Sequence, residues 1–258
     1  MRILVCIKAV PERDSALGVK ASGDFYEEAG LKFRVNDYDL CAMEEAVRVK
    51  EKLGEAKITV VSVGPSRVEE QIRKALSLGG AYGVRIDDTA APARDALSVA
   101  NLLAAWAGPQ KFDLILCGVM SEDLQRGQVG PMLAQLLNYP CATTVISLQL
   151  SQDRKKILCE RELEQGLREK VELPLPALLT LQTGINIPRW ASLSNVLRVK
   201  KMEIAAFPAA ELGRVQSCEK LVRAYLPERS RKCEFLEGDS ASVADRLLSE
   251  IRSRVKVL

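Results

Sequence analysis

The segment between residues 118 and 130 holds the residue types that most clearly suggest ligand chemistry. It reads GVMSEDLQRGQVG, follows an apolar run and leads into a helix-like stretch. Small residues near a helix N-terminus let backbone N–H groups approach a phosphate, and the helix dipole adds favourable potential there. Arg126 would supply a positive partner. The alternative is an ordinary strand-to-helix loop without a ligand, since the segment is neither G-x-G-x-x-G nor a P-loop.

Further candidate residues have simpler explanations beside the functional one. Asn36 and Asp37 precede the first clear helix, where either could cap it. Glu162 ends a hairpin-like strand, where solvated charge is the plain interpretation. Leu193 is an apolar residue in the polar stretch WASLSN. It either packs beneath its loop or contacts a partner protein, where one side chain can carry much of the binding energy.

Composition excludes several classes of protein. The 258 residues contain no histidine, so there is no Ser-His or Cys-His nucleophile pair and no imidazole metal ligand. A net charge of +3 and 5% aromatic residues argue against nucleic-acid binding. Seven cysteines without a C-x-x-C motif indicate reduced thiols in a cytoplasmic protein. We therefore expect no catalytic residue, no metal site and, without an apolar stretch of roughly 20 residues, no membrane insertion.

Alternating apolar runs and amphipathic stretches must position these residues. The pattern predicts a doubly wound, mostly parallel α/β sheet whose strands are buried on both faces. In such sheets ligands bind beyond the carboxyl ends of the strands. Gly54 is a helix stop signal and Ser66 a helix N-cap signal. The predicted strands are 3–10, 58–63, 83–87, 113–118 and 141–148, and the predicted helices are 40–53, 66–78, 93–107 and 128–137.

The pattern of apolar and polar residues changes after about residue 150. Two short antiparallel strands are predicted, joined by the turn Glu164-Gln165-Gly166. An apolar run directly after Pro174 and Pro176, an exposed loop and a basic patch follow. The chain then reads as an extended arm and an amphipathic terminal helix. The two strands are 155–162 and 167–173, the apolar run is 177–182 and the exposed loop is 183–195. The basic patch is 198–202, the arm is 203–238 and the terminal helix is 242–255.

Several ordered motifs over almost the whole chain resemble one family, the β (small) subunit of electron-transfer flavoproteins. They are ILVCIKAVPE, VNDYDLCAMEEAVRVKE, DLILCGVMSEDLQRGQVGPMLAQLL and the stretch from ERELEQG to RVKKMEI. The resemblance implies an adenine-nucleotide α-hydrolase-like sheet and a larger α subunit that holds most of an FAD. It also implies electron transfer from acyl-CoA dehydrogenases or related flavoenzymes to a quinone-linked oxidoreductase. The small subunit's own pocket would hold AMP or a second FAD.

The family's functional positions carry over residue by residue. Glu162 matches a glutamate that contacts the α flavin domain, and Leu193 matches the docking leucine of a partner-recognition loop, here 183–198. Arg198, Lys200 and Lys201 match the basic run after that loop. Residues 1–200 would form the nucleotide-binding domain and 201–258 an arm that wraps the α subunit. The pocket would comprise Cys6, Asn36, Asp37, Tyr38, Asp39, Val63, Gly118, Asp123, Arg126, Gly127, Gln128 and Val129.

Two alternatives stay open. Residues 10–11, 128–131 and 256–258 resemble the bifurcating branch and favour an NADH-linked flavoprotein with a second FAD in the pocket. The pocket loop departs from the family pattern at Val119-Met120-Ser121-Glu122, and Asn36-Asp37 stands where Asn-Pro is usual. AMP and a second FAD are therefore equally open. A stand-alone adenine-nucleotide sensor is the more distant alternative, and the long arm argues against it.

Overall fold

The computed structural model describes residues 1–23, 25–89, 94–213, 217–219, 221–227 and 233–254. The predicted helix limits at 93 and 255, and parts of the predicted arm, lie outside these residues. The strands are β1 (Arg2–Cys6), β2 (Ala9–Pro11), β3 (Phe33–Val35), β4 (Lys57–Gly64), β5 (Tyr82–Asp87), β6 (Leu114–Gly118), β7 (Cys141–Leu150), β8 (Lys156–Glu162), β9 (Arg168–Pro174), β10 (Ala177–Leu181) and β11 (Ile204–Pro208). The helices are α1 (Asp37–Leu53), α2 (Glu69–Leu76), α3 (Ala96–Ala107), α4 (Val129–Leu137), α5 (Leu193–Lys200) and α6 (Ser240–Arg254).

Within the described residues, nine strands form one sheet in the order β11-β5-β4-β1-β6-β10-β7-β8-β9. Neighbouring strands are parallel from β11 to β7, and β8 and β9 complete an antiparallel hairpin extension. Strand β1 lies between β4 and β6, with Cys6 in register with Val61 and with Cys117. The predicted α/β class, with its hairpin extension and terminal helix, is confirmed.

Alternate residues of the central strands enter apolar layers on opposite faces of the sheet. Val5 and Val60 pack with α1 and α2 on one face. Leu4, Val61 and Ile115 pack with α3 and α4 on the other. Because both faces are covered, these strands read as continuous apolar runs in the sequence.

The predicted strand 3–10 is wrong as one element, since β1 ends at Cys6 and β2 belongs to a separate two-stranded ribbon with β3. The break has a local cause. The Lys8 backbone N–H donates to the buried carboxylate of Asp39 at 2.8 Å and therefore leaves the sheet. Helix α1 begins at Asp37, earlier than predicted, and ends before Gly54, whose φ of 78° suits glycine.

Two other helix starts also differ from the prediction. Ser66 opens a single 3-10 turn that is closed by the Val68 N–H on the Pro65 carbonyl, and its side chain does not cap α2. Helix α3 begins at Ala96 because the Asp95 carboxylate accepts the Ser98 N–H at 2.7 Å. In both cases the hydrogen bonds that satisfy the first N–H groups decide the boundary.

The second half contains elements that the prediction left unassigned. The run 177–182 contains β10, which ends at Leu181 and is fully buried between β6 and β7. The predicted loop 183–195 ends early, because Ser192 caps α5 through the Asn195 N–H. Strand β11 extends the sheet to Pro208, past residue 200. Among the described residues, none of the helices is both long and apolar enough to cross a bilayer.

Candidate functional site

A cleft with a volume of about 150 Å³ opens at the carboxyl ends of β1, β4 and β6, beside the N-termini of α3 and α4. This is the edge at which parallel α/β sheets bind ligands. The predicted cofactor residues that line it are Cys6, Asn36, Asp39, Val63, Gly118, Arg126, Gly127, Gln128 and Val129.

Three predicted cofactor residues do not line the cleft but support its walls. The Asp37 carboxylate accepts from Arg34 at 2.5 Å. Tyr38 packs on Gly118, where an added Cβ would lie 2.5 Å from the tyrosine Cβ. Asp123 pairs with the Lys8 ammonium at 2.7 Å. Tyr38 and Asp123 therefore position the loop after β6, and Asp37 holds Arg34, which pairs with Glu122 of that loop at 2.8 Å.

The Asp39 carboxylate joins two strand ends beneath the cleft. It accepts the backbone N–H of Lys8 after β1 at 2.8 Å and that of Gly118 in β6 at 2.9 Å. Burial raises the pKa of Asp39 to about 7, although these hydrogen bonds favour the charged form. The residue therefore holds the site together and titrates near neutral pH.

Asn36 occupies the N-cap position of α1, but its side chain does not cap the helix. Its amide donates to the Met120 carbonyl at 2.9 Å, and its oxygen accepts the Glu122 N–H at 3.1 Å. The predicted capping role of Asn36 is therefore wrong, because the loop after β6 supplies better-placed partners.

The floor of the cleft contains two facing thiols. Cys6 and Cys117 are in register on neighbouring strands and lie on the same face of the sheet. The hydrogen bond with Cys6, and then burial, raise the pKa of the Cys117 thiol well above its usual range. Cys117 therefore stays a neutral thiol at neutral pH and is not an activated nucleophile.

The start of α4 has the geometry that an anionic group needs. In a helix the first-turn N–H groups, here those of Val129 and Gly130, have no intrahelical acceptor. Gly127 precedes them with a φ of 63°, a conformation that favours glycine. Gly130 lets the helix approach β10, since a Cβ there would lie 2.4 Å from Thr180 Cγ2. Backbone donors and the helix dipole therefore point into the cleft.

Basic side chains of the cleft are all paired with acids. Lys8 bonds to Asp123, Arg94 pairs with Asp88, and Arg126 bonds to Glu219 of the arm at 2.5 Å. Sequence reasoning missed Lys8 and Arg94. The predicted strand 3–10 contains Lys8 and the predicted helix 93–107 contains Arg94, so no local pattern marks either as a cleft residue.

Sequence reasoning also missed Asp95, which lines the cleft and holds the arm. Besides capping α3, its carboxylate accepts the N–H groups of Cys218 at 2.5 Å and Glu219 at 3.1 Å, and the Ser217 hydroxyl at 3.0 Å. Burial opposes ionisation, but the hydrogen bonds from Ser98 and the arm hold the pKa of Asp95 well below its ordinary value. A signal existed, because Asp is a preferred N-cap residue.

A second surface lies on the segment 183–198. Asn186 donates to the Cys41 carbonyl and to Glu45, each at 2.9 Å. After Asn186 the same segment exposes large apolar side chains. Trp190 is 97% exposed and Leu193 is 75% exposed. Leu193 is thus the first residue of α5 and is not buried beneath its loop.

Arg189 fixes this segment to α1. Its guanidinium donates twice to the Glu44 carboxylate, at 2.9 and 3.0 Å, and also to Glu51. Burial alone would raise the pKa of Glu44, but the bonds from Arg189 and Arg48 outweigh it and lower that pKa. The bonds with Glu51 and then with Glu44 raise the pKa of Arg189 above its ordinary value.

The predicted partner-binding basic residues point in different directions. Arg198 donates to the Leu76 and Gly80 carbonyls, both at 3.2 Å, and so caps the end of α2. The residue is nevertheless exposed, and its predicted partner-binding role stays a prediction. Lys200 and Lys201 are exposed, as is Glu162 at the end of β8.

The sheet and its cleft define a class, the doubly wound α/β proteins with a ligand cleft at the carboxyl ends of the strands. Comparison with known proteins is more specific. A family profile described as "Electron transfer flavoprotein domain" matches residues 25–212. The chain is 33% identical to the electron transfer flavoprotein subunit beta of Methylophilus methylotrophus, over 97% of this chain and 98% of that protein. It is 35% identical to that of Bacillus subtilis, over 90% and 91%.

The subunit beta of Homo sapiens is also 35% identical, over 83% of each chain. The chain therefore belongs to the electron transfer flavoprotein family, among its β subunits.

Proposed function

We propose that this chain is the small subunit of a heterodimer that carries electrons from an acyl-CoA dehydrogenase or related flavoenzyme to a quinone-linked oxidoreductase. The observation that carries this proposal is the pairing of a phosphate-suited cleft with a separate, rigidly held apolar docking surface in a member of this family. An FAD shared with the α subunit supplies the one-electron and two-electron chemistry. The part of this chain is to bind a nucleotide, to orient the flavin and to dock to the partner enzyme.

An adenine nucleotide is the ligand we propose for the cleft. The first-turn N–H groups of α4 and the guanidinium of Arg126 would hold a phosphate, and Gln128 lies beside them. The apolar walls formed by Val63, Val99 and Leu103 suit a base. The ligand is AMP, or the adenosine half of a second FAD if the complex is a bifurcating, NADH-linked flavoprotein.

Leu193 is the proposed contact with the dehydrogenase, and Lys200 and Lys201 add electrostatic steering toward an acidic partner. The exposed Leu193 side chain would contribute binding energy when a partner removes its apolar surface from water. Because its segment is already held in place, little ordering would be needed on binding. Glu162 is the proposed contact with the α flavin domain. It stands on the hairpin extension, away from the cleft residues.

The arm, residues 201–258, is the proposed contact with the α subunit. Its described part exposes large apolar side chains, which is typical of a surface that another chain covers. The free thiols suit a cytoplasmic location, which we also propose. These exposed side chains are Leu221, Val222, Tyr225, Leu226, Phe235, Leu247, Leu248 and Ile251.

The test is the nucleotide content of the co-expressed α/β complex. The complex is denatured, and the released FAD and AMP are separated by chromatography and counted per heterodimer. One FAD with one AMP supports the carrier with a structural nucleotide. Two FAD and no AMP support the bifurcating alternative. No adenine nucleotide beyond the shared FAD would contradict the proposed cleft ligand, and a stable, nucleotide-responsive monomer would favour the sensor.

A further inference from the structure

The segment 217–219 of the arm is bonded to the rim of the cleft at two points. Asp95 receives the N–H groups of Cys218 and Glu219 and the hydroxyl of Ser217. Arg126 donates to the Glu219 carboxylate at 2.5 Å. Both attachment residues, Asp95 and Arg126, are lining residues of the cleft. The arm is therefore connected to the residues that a ligand would contact.

The Glu219 carboxylate occupies the partner position that a phosphate would need. The contact uses one N–H of the Arg126 guanidinium and sets a negative charge beside it, so Glu219 partly neutralises the positive charge that would attract a phosphate. Arg126 lies two residues before the N-cap of α4, at the anion-favouring end of that helix. A phosphate bound there would also repel the carboxylate of Glu219.

We propose that Glu219 is a built-in competitor for the phosphate position, so that ligand binding in the cleft and docking of segment 217–219 oppose each other. This inference rests on the proposed nucleotide ligand and adds a regulation of that site. Linkage makes the effect reciprocal. A phosphate-bearing ligand loosens the arm from the cleft, and an arm held elsewhere by a partner chain leaves Arg126 free for the ligand.

The size of the effect follows from the exposure of the pair. The Arg126 and Glu219 side chains are 36% and 48% exposed, so their ion pair is weakened by solvent. Removing the competing carboxylate should therefore tighten ligand binding by about two- to fivefold. Removing the guanidinium deletes a charge-assisted hydrogen bond to phosphate and should weaken binding about tenfold or more.

The test is a double-mutant cycle on the 258-residue chain, with AMP and FAD as separate titrants in a calorimeter. Glu219→Gln should tighten binding, Arg126→Gln should weaken it, and the double variant should match Arg126→Gln alone. Glu234→Gln is the matched control, because this arm glutamate pairs with Arg254 and not with a cleft residue. Adenosine, which has no phosphate, should bind wild type and Glu219→Gln equally.

A second measurement follows the arm directly. Hydrogen exchange of the Cys218 and Glu219 amides, read by mass spectrometry, should accelerate several-fold when AMP is added. A peptide from α6 serves as the internal control and should not change. Unchanged exchange at 217–219 under saturating AMP would overturn the competition.

The remaining outcomes separate the two proposals. Suppose that AMP or FAD binds but Glu219→Gln does not change the affinity. Or suppose that Glu219→Gln changes the affinity equally for adenosine, or equally in the Arg126→Gln background. In each of these cases the competition is wrong and the nucleotide site stands. If neither AMP nor FAD binds wild type or any variant, the proposed nucleotide ligand itself is wrong.

Discussion

Replacing Arg189 with methionine tests how the exposed segment 183–198 is held in place. The side chain keeps similar length and loses its charge. In the wild type the guanidinium forms a bidentate pair with Glu44 and a second pair with Glu51. The backbone N–H of Arg189 also donates to Glu44 at 3.1 Å and survives the substitution. The variant therefore isolates the contribution of the guanidinium.

The magnitude depends on how exposed each acid is. The Glu44 side chain is only 4% exposed, and breaking a buried ion pair by removing one partner costs about 3–5 kcal/mol. Arg48 still donates to Glu44 at 3.2 Å, which reduces the loss. Glu51 is 56% exposed, so its pair contributes less than about 1 kcal/mol. We expect Arg189→Met to lower the free energy of unfolding by about 2–3 kcal/mol.

The pH dependence gives a sharper test than the magnitude alone. In the wild type the pKa of Glu44 is lowered in the folded state, so its stabilising contribution is present above its unfolded pKa and disappears as pH falls. Without Arg189, burial dominates and the carboxylate is relieved by protonation on acidification. The difference between wild type and variant should therefore be largest at pH 7 and shrink toward pH 4.

The assay is urea unfolding followed by circular dichroism at several pH values. Arg168→Met is the matched control, because Arg168 is 65% exposed and lies 3.4 Å from its partner Glu160. We expect less than about 0.5 kcal/mol from that control. A loss for Arg189→Met that is no larger than the control, or that does not shrink at low pH, would refute the reasoning.

Four further substitutions test other parts of the molecule. The folded pKa of Asp39, about 7, lies above its unfolded value of about 3.9, so the contribution of Asp39 to stability should fall as pH rises from 4 to 7. In urea unfolding, the stability of wild type relative to Asp39→Asn should therefore fall over this range. Gly130→Ala would bring a methyl group within 2.4 Å of a buried threonine methyl, and should cost about 1–3 kcal/mol in thermal unfolding. Gly108→Ala is the control, because its added Cβ would lie at an ordinary contact distance of 3.6 Å from Leu137 Cδ2. Leu193→Ala should slow reduction by the dehydrogenase in stopped-flow kinetics without loss of bound FAD, and unchanged kinetics would remove that docking role. Glu162→Ala should alter the small-angle scattering profile of the α/β complex, and an identical profile would contradict the domain contact.

The sheet could be predicted from sequence because its strands are buried on both faces and stand out as apolar runs. The prediction failed where a distant side chain decides a boundary. Strand β1 stops at Cys6 because Asp39, 31 residues away in sequence, takes the N–H of Lys8. Strand β10 is hard to assign from sequence because it is a run of only a few residues after Pro174 and Pro176, and its place in the sheet depends on pairing with β6 and β7.

The site, like the sheet, could be predicted where a local sequence pattern marks it. The start of α4 is visible locally, as small residues before a helical pattern. The contacts of Asp95 with Cys218, across 123 residues, have no local pattern at all. Likewise, Lys8 becomes a cleft residue only because β1 ends before it. Asn36 and Asp39 also join the site through long-range hydrogen bonds, and only the family resemblance pointed to them.

The split within the predicted basic run follows from the chemistry of its two residue types. An arginine presents several donors in a fixed plane, and Arg198 uses them on the Leu76 and Gly80 carbonyls while Arg73 from α2 donates to Val199 and Met202 at the end of α5. Each helix thus supplies the C-terminal cap of the other. Lysine is a compact, strongly hydrated charge that suits long-range steering from the surface. A segment that is ordered before binding loses less entropy when it binds, so the bonds of Arg73 and Arg198 would favour the docking that we propose for Leu193.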